Sequence, residues 1–213
     1  MNEFKTWSNE ALAAKAVNAL IQNNFAASYV KTRQEAVEKL LAMVPAAASI
    51  GVGGSWTLTE LGVLEKWQER GHTIYNHNLA GLPAEEVMAL RRAELTCDVF
   101  ICGTNALTLD GKLVNVDGVG NRVAAMTFGP KQVIIVAGVN KIVRNVDEAE
   151  RRIELLAAPL NNKRLNRPNP CTVAGICVDC QGPTRICNVT TILRKRPPAT
   201  PMQILIVGEE LGF

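Results

Sequence analysis

Short apolar runs of strand length alternate along the chain with stretches in which apolar residues recur every three or four positions. Ser8 to about Asn23 is the first helical stretch, with Leu12, Ala16, Ala19 and Leu20 on one face and Glu10 in the first turn. Phe25 to Val30 predicts a short strand. Thr32-Arg33-Gln34-Glu35 has the order of a capping box and opens a helix that buries Val37, Leu40 and Leu41 and stops before Pro45. The small apolar run Ala46 to Ile50 then leads into Gly51, Gly53 and Gly54. A second capping box, Thr57-Leu58-Thr59-Glu60, starts a helix that reaches about Glu69 and ends at Gly71. His72 to Tyr75 predicts another short strand. Pro83-Ala84-Glu85-Glu86 opens a helix to about Glu94, with proline and acids where a helix N-terminus favours them.

Asp98 to Gly103 is apolar on both faces, as a strand buried in a parallel sheet would be. Leu107–Leu109 and Leu113–Val116 form a compact β stretch with turns at Asp110-Gly111 and Asp117-Gly118. Gln132 to Gly138 is the strongest buried strand. Asp147 caps a helix through Ala157, a polar loop follows Pro159, and Gln203 to Val207 forms a last strand. The alternation predicts an α/β fold with a mostly parallel sheet and flanking helices, in a single domain over residues 1–213. A cysteine-rich segment at about 165–190 lies inside it.

Composition narrows the function classes. A hydrophobic fraction of 47% with 20% charged residues is ordinary for a globular chain. A net charge of +3 and a pI near 8.6, with 5% aromatics, argue against nucleic acid as a partner. The basic groups Lys163, Arg164, Arg167 and Arg194-Lys195-Arg196 read as solvated surface. No apolar run reaches membrane length and Met1 to Lys5 carries no signal-like segment, so a soluble cytoplasmic protein is expected.

The glycine stretch is the first candidate site. Strand, glycine turn and helix start together aim backbone N–H groups at one spot, and the expected visitor is a small anion. Gly53, Gly54, Ser55 and Thr57 are its candidate ligand-binding residues, the glycines being read as positions of positive φ and close ligand approach. The stretch matches neither the dinucleotide fingerprint nor the phosphate loop of NTP-binding proteins. A second polar stretch, Asn115-x-Asp117-Gly118-x-Gly120-Asn121-Arg122, offers Arg122 to a carboxylate or phosphate. Lys141 follows a buried strand at the carboxyl end of the sheet, where α/β proteins place ligands. Glu60 and Asp117 are weak candidates for a base, as is Lys141 for a catalytic role. His72 and His77 flank a strand with no partner identifiable, and read as surface or packing residues.

Cys171-x5-Cys177-x2-Cys180-x6-Cys187 gathers four thiols in seventeen residues among turn formers. The spacing admits an iron–sulfur cluster or, as the alternative, a tetrahedral zinc; Cys177 and Cys180 could also form a redox dithiol. Cys97 and Cys102 flank or occupy a buried strand and suit packing.

Several of these segments resemble one family. Gly53-Gly54-Ser55-x-Thr57-x-x-Glu60-x-Gly62, Asp98 to Ala106, Gly111-x-Leu113-Val114-Asn115-x-Asp117-Gly118-x-Gly120-Asn121-Arg122, Pro130 and Gly138-x-Asn140-Lys141 are similar to the LUD domain of lactate-utilisation proteins. The likeness runs from roughly Ser8 to Ala157, and the cysteine tail resembles a small cysteine-bearing subgroup. It implies a fold related to ribose-5-phosphate isomerase and the CoA transferases, with the glycine turn lining the ligand cleft. It also implies a place in oxidation of L-lactate to pyruvate beside iron–sulfur or flavin redox proteins. The leading expectation is a protein that binds a small carboxylate or phosphorylated ligand, with Asn121, Arg122 and Lys141 on the wall opposite the glycines. An isomerase- or transferase-like enzyme with structural zinc, and an accessory or sensor subunit without turnover, are the alternatives; whether the chain forms homo-oligomers stays open.

Overall fold

A computed structural model describes residues 3–213. Ten strands are ordered along the chain as β1 (Ala26–Val30), β2 (Ile50–Val52), β3 (Ile74–Tyr75), β4 (Val99–Gly103), β5 (Ala106–Thr108), β6 (Leu113–Asp117), β7 (Gln132–Gly138), β8 (Ile142–Val143), β9 (Val189–Leu193) and β10 (Met202–Val207). Six of them form one sheet in the order β1-β10-β7-β4-β2-β3, and every pairing in it is parallel. The other four, in the order β8-β5-β6-β9, form a mixed sheet built on the antiparallel β5–β6 hairpin. Gly111, with φ of 78°, makes the turn of that hairpin.

The helices are α1 (Glu3–Gln22), α2 (Arg33–Met43), α3 (Trp56–Leu61), α4 (Val63–Glu69), α5 (Ala84–Ala93), α6 (Asn121–Thr127), α7 (Val146–Arg152), α8 (Ala158–Arg164) and α9 (Cys171–Ala174). The parallel sheet is buried on both faces, which its uninterrupted apolar strands require. Phe100, Val133, Ile135, Ile204 and Ile206 point to the side covered by Ala16 and Leu20 of α1, Met126 of α6, and Leu107 and Leu113 of the second sheet. Alternate residues Ile101, Ile134, Val136 and Leu205 point the other way, against Leu40 of α2, Leu58 of α3 and Trp67 of α4. The two-residue side-chain period of a strand thus divides β4, β7 and β10 between two cores.

Several boundaries differ from the sequence reading, each for a local reason. Thr32 caps α2 as expected, its hydroxyl accepting the Glu35 N–H at 3.2 Å. In the glycine stretch the cap is Ser55 rather than Thr57, so the second capping box does not form. Thr57 is buried inside the first turn and Glu60 accepts the Gly212 N–H at 2.8 Å instead. The predicted long helix is broken after Leu61, where Gly62 takes φ of 59°. Asn145, not Asp147, caps α7 through its side-chain oxygen on the Glu148 N–H at 3.0 Å. Helix continues beyond Pro159, because a π-helical turn at Ile153–Ala157 joins α7 to α8 and Pro159 falls in the first turn of α8. α6 and β9 have no counterpart in the sequence reading.

Candidate functional site

The carboxyl ends of β3, β2, β4 and β7 open into one cleft of about 710 Å³, the place where parallel α/β sheets put ligands. Its floor follows the sheet order. Asn78 lies beyond β3, Gly54 and Ser55 beyond β2, Gly103 ends β4, and Lys141 follows β7. These groups are in close succession: a Cβ on Gly54 would stand 2.7 Å from the Asn78 amide oxygen. One on Gly103 would stand 2.9 Å from the Ser55 hydroxyl and 3.6 Å from Lys141 Nζ. Gly53 and Gly54 do not adopt positive φ. Glycine is required there by close packing, as the Gly53 position is hemmed in by the Phe100 ring at 2.7 Å and Arg122 Cγ at 3.0 Å.

Lys141 is the most unusual group in the cleft. Only 3% of it is exposed, its Nζ donates to Thr57 Oγ1 at 2.9 Å, and it forms no ion pair among the described residues. Burial, then the nearby Arg152 and Arg122 charges, press its pKa down to about 7. Arg152 donates to Asn140 O at 3.0 Å and Asn105 O at 2.7 Å, while its second terminal nitrogen is buried without a partner. Burial also lowers its pKa, to about 10. Arg91, Arg164 and Arg167 also line the cleft. Arg164 lies over the Trp56 ring at 6.0 Å, and Trp56 stacks on Phe213 at 6.4 Å between centroids. The concave, basic, partly aromatic wall suits an anion.

Arg122 also borders the cleft, but its donors are spent within the protein. Nε donates to Asp117 at 2.8 Å, one terminal nitrogen to Gly103 O and Asn115, and the other to Asn105 and Val116 O, at 2.7–3.1 Å. All five N–H groups of the guanidinium are thereby engaged. Arg122 therefore ties β4, β6 and α6 into one wall, and no N–H of it is left for a ligand. Asp117 is held by Arg122 and by the Val123 N–H at 3.1 Å.

Of the residues singled out from the sequence, Gly54, Ser55, Asp117, Asn121, Arg122 and Lys141 line the cleft together. Gly53 and Thr57 sit just beneath it, and Glu60 is turned to the C-terminal segment. The sequence reading missed one arrangement entirely. His77 lines the cleft, and its Nδ1 meets Glu94 Oε1 at 2.5 Å. Glu94 is wholly buried, and its other oxygen accepts from Asn121 Nδ2 at 3.3 Å. No local motif announces a pair seventeen residues apart. Arg164 and Arg167 were legible only as surface charge.

The four late cysteines fall away from the cleft floor. Cys171 is buried and Cys177, Cys180 and Cys187 are half-buried, all as free thiols. They are near enough to oppose one another's ionisation: burial first, then the other thiols, raises the pKa of Cys171 and carries that of Cys187 to about 11. Cys177 Sγ accepts the Asp179 N–H at 3.4 Å. Yet no group of three or more His, Cys, Asp or Glu side chains among the described residues is arranged to hold a metal ion. As they stand, the thiols do not close a cage.

The profile of the LUD domain matches residues 13–207. A 1.70 Å crystal structure of a DUF162 family protein from Deinococcus radiodurans is similar in fold, at a TM-score of 0.50 and 13% identity. The match covers 93% of this chain and 98% of that one. No curated protein matches the chain. Among the described residues no helix is long and apolar enough to cross a membrane.

Proposed function

Because the chain belongs to the LUD domain family, which is associated with lactate utilisation, we propose that its cleft binds a small carboxylate or phosphorylated ligand as one step of a redox pathway such as oxidation of L-lactate to pyruvate. The single observation behind this reading is Lys141, a lysine buried at the cleft floor that forms no ion pair among the described residues. A buried cation without an ion-pair partner is costly, and a bound anion would supply the opposite charge. Ser55 and the backbone at Gly54 would add donors on one side, and Arg164 and Arg167 would close the outer side. A relation to the ribose-5-phosphate isomerase and CoA transferase fold would put the ligand at this same edge.

Calorimetric titration with pyruvate, L-lactate and dihydroxyacetone phosphate tests the reading. At least one is expected to bind with a Kd below about 1 mM, and Arg164→Ala with Arg167→Ala to weaken it about tenfold. No binding by any of the three contradicts the reading.

An iron–sulfur centre, or zinc in its place, on Cys171, Cys177, Cys180 and Cys187 belongs to the same proposal as a separate claim. It would give the chain an electron-transfer contact to iron–sulfur or flavin proteins, and the thiols would have to draw together to hold it. Metal and sulfide analysis of protein purified without oxygen decides it. Iron with sulfide and a band near ~400 nm, lost in Cys177→Ser, is the expected result. One zinc and no colour would make the segment structural; neither metal would remove the centre.

A further inference from the structure

We infer that His77, oriented by Glu94, is the general acid–base of the cleft, acting on a carbonyl compound that carries an anionic group. The inference rests on the reading of the cleft as an anion site and adds chemistry to it. Three observations carry it. Glu94 is 0% exposed, and its carboxylate meets His77 Nδ1 at 2.5 Å, the His77 backbone N–H at 3.4 Å and the Asn121 amide at 3.3 Å. A carboxylate so placed fixes the ring with its proton on Nδ1 and leaves Nε2 as the basic nitrogen, which is the logic of a carboxylate behind a catalytic histidine. The His77 side chain is 10% exposed and borders the same cleft as Lys141, so the open side of the ring belongs to the cleft. Neither carboxylate suggested by the sequence competes: Asp117 is bound by Arg122 and Val123, and Glu60 by the Gly212 N–H.

The step is a proton transfer that needs no other reactant. Nε2 takes the proton from a carbon next to the ligand's carbonyl. The C–H electron pair becomes the enolate C=C bond, and the carbonyl π pair moves to oxygen. The cationic floor at Lys141 stabilises that oxygen. The imidazolium then returns a proton to the same carbon or, in a hydroxyketone, to its neighbour. Glu94 is a positioning residue and touches no ligand.

Exchange of carbon-bound protons with D2O, followed by NMR, tests the inference with two probes. Pyruvate represents a 2-oxo carboxylate and dihydroxyacetone phosphate a phosphorylated ketone. Wild type is expected to exchange at least one probe well above the buffer rate, and the probe that exchanges identifies the ligand class. His77→Asn and His77→Gln are each expected to lose about a thousandfold in rate while still binding that probe, which shows that they are folded. Glu94→Gln should slow exchange about tenfold or more. In the ¹⁵N spectrum it should convert a single Nδ1–H tautomer of His77 into a mixture, which loss of packing alone would not do. Binding without exchange by wild type, or exchange unaffected in both His77 variants, overturns the inference and leaves the anion site standing. If neither probe binds, the anion-site reading and this inference fall together.

Discussion

Arg122→Ala is expected to lower the unfolding free energy by about 3–5 kcal/mol, measured by urea denaturation. The magnitude follows from what the side chain holds. Its ion pair with Asp117 is largely buried, the two side chains being 14% and 7% exposed, and the other donors satisfy Gly103 O, Val116 O and the amide oxygens of Asn105 and Asn115. Truncation leaves the Asp117 carboxylate with the Val123 N–H as its remaining hydrogen bond and takes a donor from four further acceptors, of which the Asn105 and Asn115 oxygens each keep one backbone N–H. An unpaired buried charge costs far more than a surface ion pair contributes. Arg122→Lys should restore only part of the loss, because a point charge cannot reproduce a planar fork with five donors. A loss below about 1 kcal/mol for Arg122→Ala would show that the network is not cooperative and that Arg122 is free to serve a ligand.

Lys141→Met is expected to act in the opposite sense, sparing the fold and removing binding. Methionine fills much the same space and brings no charge, so the variant relieves a buried cation and should be at least as stable as wild type. Anion affinity is expected to fall by about a hundredfold, the usual scale for deleting one partner of a buried charged contact. The same titration that measures ligand binding reads this loss. If Lys141→Met binds as tightly as wild type, Arg164 and Arg167 hold the anion and the floor of the cleft does not.

The strands and their burial were legible in the sequence because the parallel sheet is covered on both sides. Asp98–Gly103 and Gln132–Gly138 read as uninterrupted apolar runs, and they are β4 and β7, at the centre of the sheet. Helix ends were less legible, since Ser55 and Thr57 at one helix, and Asn145 and Asp147 at another, all look capable of capping and only tertiary contacts choose between them. Thr57 shows the reason: once its side chain is drawn into the core by Lys141 and Leu211 O, it no longer caps a helix. Gly54, Ser55 and Lys141 could be found from the sequence because each follows a predicted strand, and Asn121 because it lies in a glycine-marked polar stretch. The His77–Glu94 pair could not, because it joins the exit of a two-residue edge strand to the C-cap residue of α5. Arg122 was visible as a cation, but its role depends on acceptors brought from five different positions.

The central claim, that a cationic Lys141 on the cleft floor binds an anion, is tested most directly by the pH dependence of pyruvate affinity. Pyruvate keeps one charge from pH 6 to 9, so the change is the protein's. Lys141 has its pKa depressed to about 7, and the binding form is the protonated one. Binding is therefore strongest below pH 7 and is lost as pH rises through that value, by as much as about tenfold per unit. Between pH 6 and 9 the wild-type affinity is expected to fall by up to about a hundredfold, and the dependence should largely disappear in Lys141→Met. Wild-type affinity that stays level over this range, or a Lys141→Met variant that keeps the same pH profile, would contradict the account.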